Sequence, residues 1–398
     1  MIVQLQSALH SWQLTGKRIL VRADLNVPLE YGKIVNDYRL QQILPTIDLI
    51  KQHGGKIILM THLGRPKKPA EKYSTKHLLT WFAQRGYLMQ FASDPYDAYQ
   101  KSFTDNDKIL LLENLRFFAG EQSHDESFAK VLAELGNYYI DDAFGALHRT
   151  DTSITLVPRF FPRDRRSIGL LVEHEFHMLN KLLTNPKRPY DFIIGGVKID
   201  EKIPLIHTML DQVDRVFLCP AIVFSFLAAE DISVGKSIVD KNAFTICKDI
   251  LRKAKQQHKK IYFPDDYQVA HETVHGILSI VDADKIPNNT MGISIGPKTI
   301  ASWQLTLTEA KTILFNGLPG IPKRPETLAG VHAILEAMVQ SDAYTVIGGG
   351  DTVAVAQQFG FINKMSFCST GGGAMIAYLN GKPLPGIMAL IDQKEPTF

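Results

Sequence analysis

The sequence predicts an α/β fold built as two parallel-sheet lobes facing a cleft, and three features of its 398 residues lead there. Short apolar runs recur along the whole chain, each followed at once by Gly, Pro, Asp or Asn and then by a helix-like stretch. Runs that are apolar throughout, rather than alternating, suit strands covered on both faces. The length is generous for one core and comfortable for two. Finally, the pattern is interrupted at Asn185-Pro186-Lys187-Arg188-Pro189, which marks the boundary between the lobes.

Taken in order, the strand-like runs of the first half are residues 18–22, 56–60, 108–112 and 138–140. Those of the second half are 191–194, 215–218, 260–263, 312–315 and 344–347. Amphipathic stretches at 125–135, 244–259 and 327–339 read as helices between them. Each lobe is therefore Rossmann-like, alternating strand, turn and helix. Residues 170–183 read as one helix joining the halves. The expected domains are 1–168 and 189–379, with the linking helix and hinge at 169–188.

Composition narrows the function classes. Lys plus Arg number 44 against 41 acidic residues, a formal net charge of +3. So small an excess gives no basis for nucleic-acid binding or membrane-surface attraction, and any anion site must come from local placement. The cysteines Cys219, Cys247 and Cys368 are far apart and form no C-x-x-C, which excludes a zinc knuckle or thioredoxin-type motif and suits a reducing cytoplasm. Residues 1–17 hold no sustained apolar stretch, so no secretory leader is expected. The most apolar run, 216–229, carries Pro220 and falls short of the roughly 20 residues a spanning helix needs. With no regularly spaced apolar surface stripe, a monomer is expected.

In open parallel sheets ligands sit outside the carboxyl ends of the strands, so the residues just after each run carry the chemistry. In the first half these are Asp24-Leu25-Asn26, Thr61-His62-Leu63-Gly64-Arg65, Glu113-Asn114-Leu115-Arg116 and Ala146-Leu147-His148-Arg149, with Arg39 after the first turn. One such arginine reads equally well as a solvated loop charge. Several at successive strand ends point instead to a compact polyanion, which a guanidinium fork matches at two points.

The second half differs in kind. Its turns read Gly195-Gly196-Val197-Lys198, Asn316-Gly317, Gly348-Gly349-Gly350-Asp351-Thr352 and Ser369-Thr370-Gly371-Gly372-Gly373. Glycine lets backbone approach phosphate closely, and the following helix N-termini favour negative charge. Lys198 and Lys202 are placed to neutralise phosphate oxygens, and Asp351 to hold magnesium. Two other matches carry less. Gly235-Lys236-Ser237 resembles a P-loop tail, but Glu230 stands where the upstream glycine belongs. His271-Glu272-Thr273-Val274-His275 matches H-E-x-x-H, yet lies in a β-branched, Gly-bounded stretch rather than a helix, without a third ligand.

These segments, in this order, resemble the phosphoglycerate kinase family. The strings 21–28, 61–66, 112–117 and 142–149 look like its N-domain motifs. The loop 195–203, the turns 348–352 and 369–374, and Leu384-Pro385-Gly386 look like those of its C-domain and terminus. The resemblance covers roughly residues 15–390. It implies that Asp24, Asn26, Arg39, His62, Arg65, Arg116 and Arg149 bind 3-phosphoglycerate or 1,3-bisphosphoglycerate. It further implies that Lys198, Lys202, Asn316, Gly349, Gly350, Asp351 and Thr352 hold ATP or ADP with Mg2+, Asp351 being the metal contact. Arg39, Lys198, Gly349 and Gly372 would act on the transferring group, and the tail 380–398 would return to the N-domain.

The chain also departs from the family pattern. Asp151 stands where a second His usually follows the His-Arg pair, which weakens the local positive field. Cys219-Pro220-Ala221 replaces three glycines against which the base would lie. Lys323 aligns with the nucleotide-binding Glu that receives the ribose hydroxyls, and an ammonium has no acceptor for them. Ser294 replaces an Asp. Phosphate handling is kept while nucleoside handling is changed. A relative using another phosphoryl carrier, or a non-catalytic acid binder, are the alternative readings.

Overall fold

The structure is a computed structural model; it describes residues 6–104 and 108–391. Parts of the 1–17 and 380–398 segments considered above therefore lie outside the described residues. The chain divides into two compact units, Met1–Met178 with Lys382–Phe398, and Leu179–Gly381. The helix Leu170–Leu183 carries the chain across the division, which falls between Met178 and Leu179.

The first unit is built on a six-stranded sheet in the order Met89–Ala92, Ile109–Leu112, Lys56–Met60, Arg18–Ala23, Tyr138–Asp142, Arg166–Ile168. Every pairing in it is parallel. The central strand Arg18–Ala23 is buried from Ile19 onward, which is why its sequence after Arg18 is apolar except for Arg22. Val21, Leu59, Ile140 and Leu111 meet in one core with Leu40, Ile47 and Phe82 from the covering helices. Truncating any of these to Ala should cost about 2–5 kcal/mol. The helix Pro385–Ile391 belongs to this unit: Gly386 N donates to Leu147 O at 3.0 Å, and Arg163 Nη1 to Leu390 O at 3.3 Å.

The second unit has a six-stranded sheet ordered Lys260–Tyr262, Arg215–Leu218, Tyr190–Ile194, Thr312–Asn316, Tyr344–Gly348, Phe367–Cys368, again parallel throughout. Numbered along the chain this is 3-2-1-4-5-6, the doubly wound dinucleotide-binding order. Its direction reverses between Tyr190–Ile194 and Thr312–Asn316, so the crevice forms where Gly195 and Gly317 leave those strands. Between the third and fourth strands is inserted an antiparallel sheet, Leu278–Asp282, Asp266–His271 and Thr290–Ile295. The H-E-x-x-H match falls on the end of one of its strands: His271 is the last strand residue and Glu272 has φ +61°. No helix forms there to align the two histidines. Among the described residues no helix is long and apolar enough to cross a membrane.

Candidate functional site

In the first unit the strand ends bring arginines together, and three of them are anchored from within the site. Arg39 Nη1 donates to Asn26 O at 2.9 Å and lies 3.5 Å from Asp24 Oδ1. Arg116 Nη1 donates to Gly64 O, while its buried Nε and Nη2 have no partner. Arg149 Nε lies 3.1 Å from Asp151 Oδ2. The turn bearing Arg65 is pinned by Asn26, whose Oδ1 accepts from Gly64 N at 2.8 Å; Arg65 itself is exposed.

The mutual repulsion shows in the acidities. Burial, then Arg149 next door, pushes Arg116 down to about 10 despite the opposing charge of Asp151. His62 is held well below the ordinary imidazole range by burial first and then by Arg22, Arg116, Arg149 and Arg39. It is therefore neutral at pH 7. Its Nδ1 accepts from Arg22 Nη2 at 3.0 Å, since an arginine can only donate, which leaves the proton on Nε2. Arg22, fully buried, also donates from Nε to Ser153 Oγ at 2.8 Å. Ser153 in turn holds Glu121, which burial raises to about 7. Arg22 and Glu121 form a floor that the sequence pattern did not single out; a charged residue inside an otherwise apolar strand was the available signal.

In the second unit a cavity of about 410 Å³ opens at the reversal point of the sheet. Lys198, Lys202, Asn316, Gly349, Gly350, Asp351, Thr352 and Gly372 all line it. The turn after Tyr344–Gly348 needs Gly349, whose φ of +97° an L side chain rarely adopts. It opens the helix Gly350–Gln358, and Gly371 opens Gly372–Leu379. A Cβ on Gly372 would lie 3.4 Å from Gly349 Cα, so two helix N-termini abut at one wall. Their free N–H groups and dipoles favour an anion there. Thr352 Oγ1 accepts from Gly317 N at 3.0 Å and fixes the opposite turn. Asn316 Nδ2 is buried without a partner beside these turns.

The two lysines differ. Lys198 is exposed and paired with Glu201 at 3.0 and 3.1 Å. Lys202 is nearly buried, donates to Gly195 O, and burial pushes it down to about 8. Asp351 lies in the first turn of its helix, and Glu201 is the other carboxylate of the lining. Among the described residues no group of three or more His, Cys, Asp or Glu is arranged for a metal. One or two carboxylates fit a Mg2+ that brings phosphate oxygens and water as its other ligands.

The departures fall away from this cavity. Cys219, Pro220 and Ala221 are buried and do not line it. Pro220 O accepts from Gly196 N at 3.4 Å, so the turn backs the glycine loop from behind. Lys323 is exposed and also absent from the lining, although Ile321 and Pro322 belong to it. Ser294 Oγ donates to Pro319 O at 3.1 Å and tethers the same loop. The apolar lining, Val197, Leu318, Ile321, Pro322 and Ile376, was not singled out in the sequence, because apolar residues in turns carry no chemical signature.

A doubly wound unit with glycine turns at the switch point, and a second α/β unit presenting arginines at its strand ends, suit a phosphotransferase. A family profile described as phosphoglycerate kinase matches residues 9–382. The chain is 39% identical over 382 residues to the phosphoglycerate kinase of a Nitratiruptor species, covering 94% of this chain and 96% of that one. It is 37% identical to that of Trichodesmium erythraeum, covering 97% and 98%. Among solved structures, the phosphoglycerate kinase of Coxiella burnetii superposes with a TM-score of 0.79 at 30% identity, covering 96% and 97%. That of Pyrococcus horikoshii gives 0.83 at 26%, covering 97% and 98%. The chain belongs to the phosphoglycerate kinase family, glycolytic phosphotransferases with a carboxyl group as acceptor and ATP or ADP as nucleotide.

Proposed function

We propose that the chain transfers a phosphoryl group reversibly between 1,3-bisphosphoglycerate and ADP, giving 3-phosphoglycerate and ATP, as a cytoplasmic monomer working with Mg2+. The carrying observation is that arginines gather at the strand ends of one α/β unit, while glycine turns with lysines line a cavity in the other. Asp24, Asn26, Arg39, His62, Arg65, Arg116 and Arg149 receive the acid. Lys198, Lys202, Asn316, Gly349, Gly350, Asp351 and Thr352 receive the nucleotide phosphates, and Asp351 would hold the magnesium that accompanies them.

In the ATP-forming direction an ADP oxygen bonds to the acyl phosphorus as the bond to the carboxyl oxygen breaks, and the carboxylate leaves. Both oxygens are anionic at neutral pH, so no general base is required. Catalysis is positioning plus neutralisation of the transferring group's charge. Arg39 and Lys198 supply that charge, and the N–H groups at Gly349 and Gly372 add to it. Lys198 must leave Glu201 to do so, and the exposed pair is weak enough to exchange. Transfer also requires the two bound groups to meet at bonding distance with water excluded.

The nucleoside end is read differently from the family pattern. No side-chain carboxylate lines the cavity beyond Glu201 and Asp351, and Val197, Leu318, Ile321, Pro322 and Ile376 give it apolar surface. Base and ribose recognition is therefore looser than phosphate recognition. A coupled assay with ADP, GDP, UDP and CDP should give transfer with all four, kcat/KM differing by less than about tenfold, or about 1.4 kcal/mol. Strict adenine selectivity would overturn the nucleoside reading. No transfer with any of them would overturn the function.

A further inference from the structure

Asp151 is a carboxylate inside an anion-binding site, and its surroundings say what it is there for. It occupies the residue before the short helix Thr152–Thr155, a position where Asp commonly accepts from the first N–H groups. It makes no such capping bond. Its side chain, only 10% exposed, turns to Arg149 instead, with Oδ2 3.1 Å from Nε. That Oδ2 is buried and makes no well-formed hydrogen bond, so the contact is one of charge. Its field also reaches Arg116, where it opposes the repulsion from Arg149.

We propose that Asp151 is a built-in counter-charge that sets the affinity of the acid site, an inference that rests on the acid-site reading above. The contact runs through Nε, and a guanidinium carries further donors on Nη1 and Nη2. The guanidinium can therefore still offer its fork to a substrate carboxylate or phosphate. An arriving dianion nevertheless meets a cluster from which one positive charge has been cancelled, beside a fixed negative charge in a partly desolvated setting. Asp151 thus trades affinity for release of the acid. It is a positioning and affinity-setting residue and takes no part in the transfer itself.

Asp151→Asn keeps the shape and removes the charge; Asp151→His replaces the charge by an imidazole. Because Asp151 makes no cap, neither change removes a hydrogen bond the fold depends on, and melting curves would verify this. Titration calorimetry with 3-phosphoglycerate should show Kd falling about tenfold in both variants, as removal of one nearby charge implies. The KM for ADP should stay unchanged, which a general structural disturbance would not leave untouched. Inorganic sulfate, an unreactive dianion, should inhibit the variants more strongly than the wild type. Unchanged or weaker binding of 3-phosphoglycerate in Asp151→Asn would overturn the counter-charge. Failure of the wild type itself to bind 3-phosphoglycerate would instead overturn the acid-site reading on which it rests.

Discussion

Lys202 and Ala221 show how much a single position carries in the nucleotide unit. Lys202 keeps its ammonium nearly buried against Gly195 O, and burial brings it down to about 8. The charge is present below that pH and lost above it, so affinity for the phosphate chain should fall as pH rises from about 7.5 to about 9.5. Calorimetry with ADP should show this weakening in the wild type and a flatter profile in Lys202→Met; equal slopes would remove Lys202 from the phosphate site. Ala221 is held at φ +53°, ψ −48°, a region that costs a side chain strain. Ala221→Gly should relieve it and, after the extra flexibility of the unfolded chain, stabilise by about 1 kcal/mol. A lowered melting temperature would show the strain to be absent.

At the scale of elements, strand Tyr138–Asp142 ends in two buried carboxylates that no solvated loop would tolerate. Asp142 accepts from Thr46 Oγ1 at 2.5 Å and from Val172 N at 3.1 Å, tying its strand to the helices Leu44–Gln52 and Leu170–Leu183. Burial still dominates and raises it to about 7 from 3.8. Between those values the native state holds more protons than the unfolded one, so this stabilisation is complete at low pH and lost as pH rises through about 7. Melting temperatures from about pH 5.5 to about pH 8 should decline less in Asp142→Asn than in the wild type. A steeper decline in the variant would contradict the sign. The same elements explain what was legible in the sequence. Central strands such as Arg18–Ala23 and Tyr190–Ile194 are covered on both faces, and their residues say so. Met89–Ala92, Arg166–Ile168 and Phe367–Cys368 were missed because short edge strands are half-covered or too brief to show a pattern. The antiparallel insert was missed because no residue of Leu278–Asp282 is fully buried and the pairing slips at Gln268/Val269. In the cavity, glycine turns, lysines and Asp351 announce themselves chemically. The exposed placement of Lys323 outside the lining depends on how the 317–327 loop is tethered by Ser294 and Thr327, which no spacing reveals.

At the scale of the molecule, we propose that two anion sites, one on each unit, work on one phosphoryl group without a general base. A function so divided makes charge rather than proton transfer the decisive contribution, and it assigns that charge to one residue from each unit. The direct measurement is steady-state transfer from 1,3-bisphosphoglycerate to ADP by the wild type, Arg39→Ala and Lys198→Ala, with kcat and KM separated. Both variants should lose kcat by about 3–4 kcal/mol of transition-state stabilisation, a fall of a hundred- to a thousandfold, with much smaller changes in KM. A kcat unchanged in either variant, or a loss confined to KM, would contradict the assignment of that residue to the transferring group.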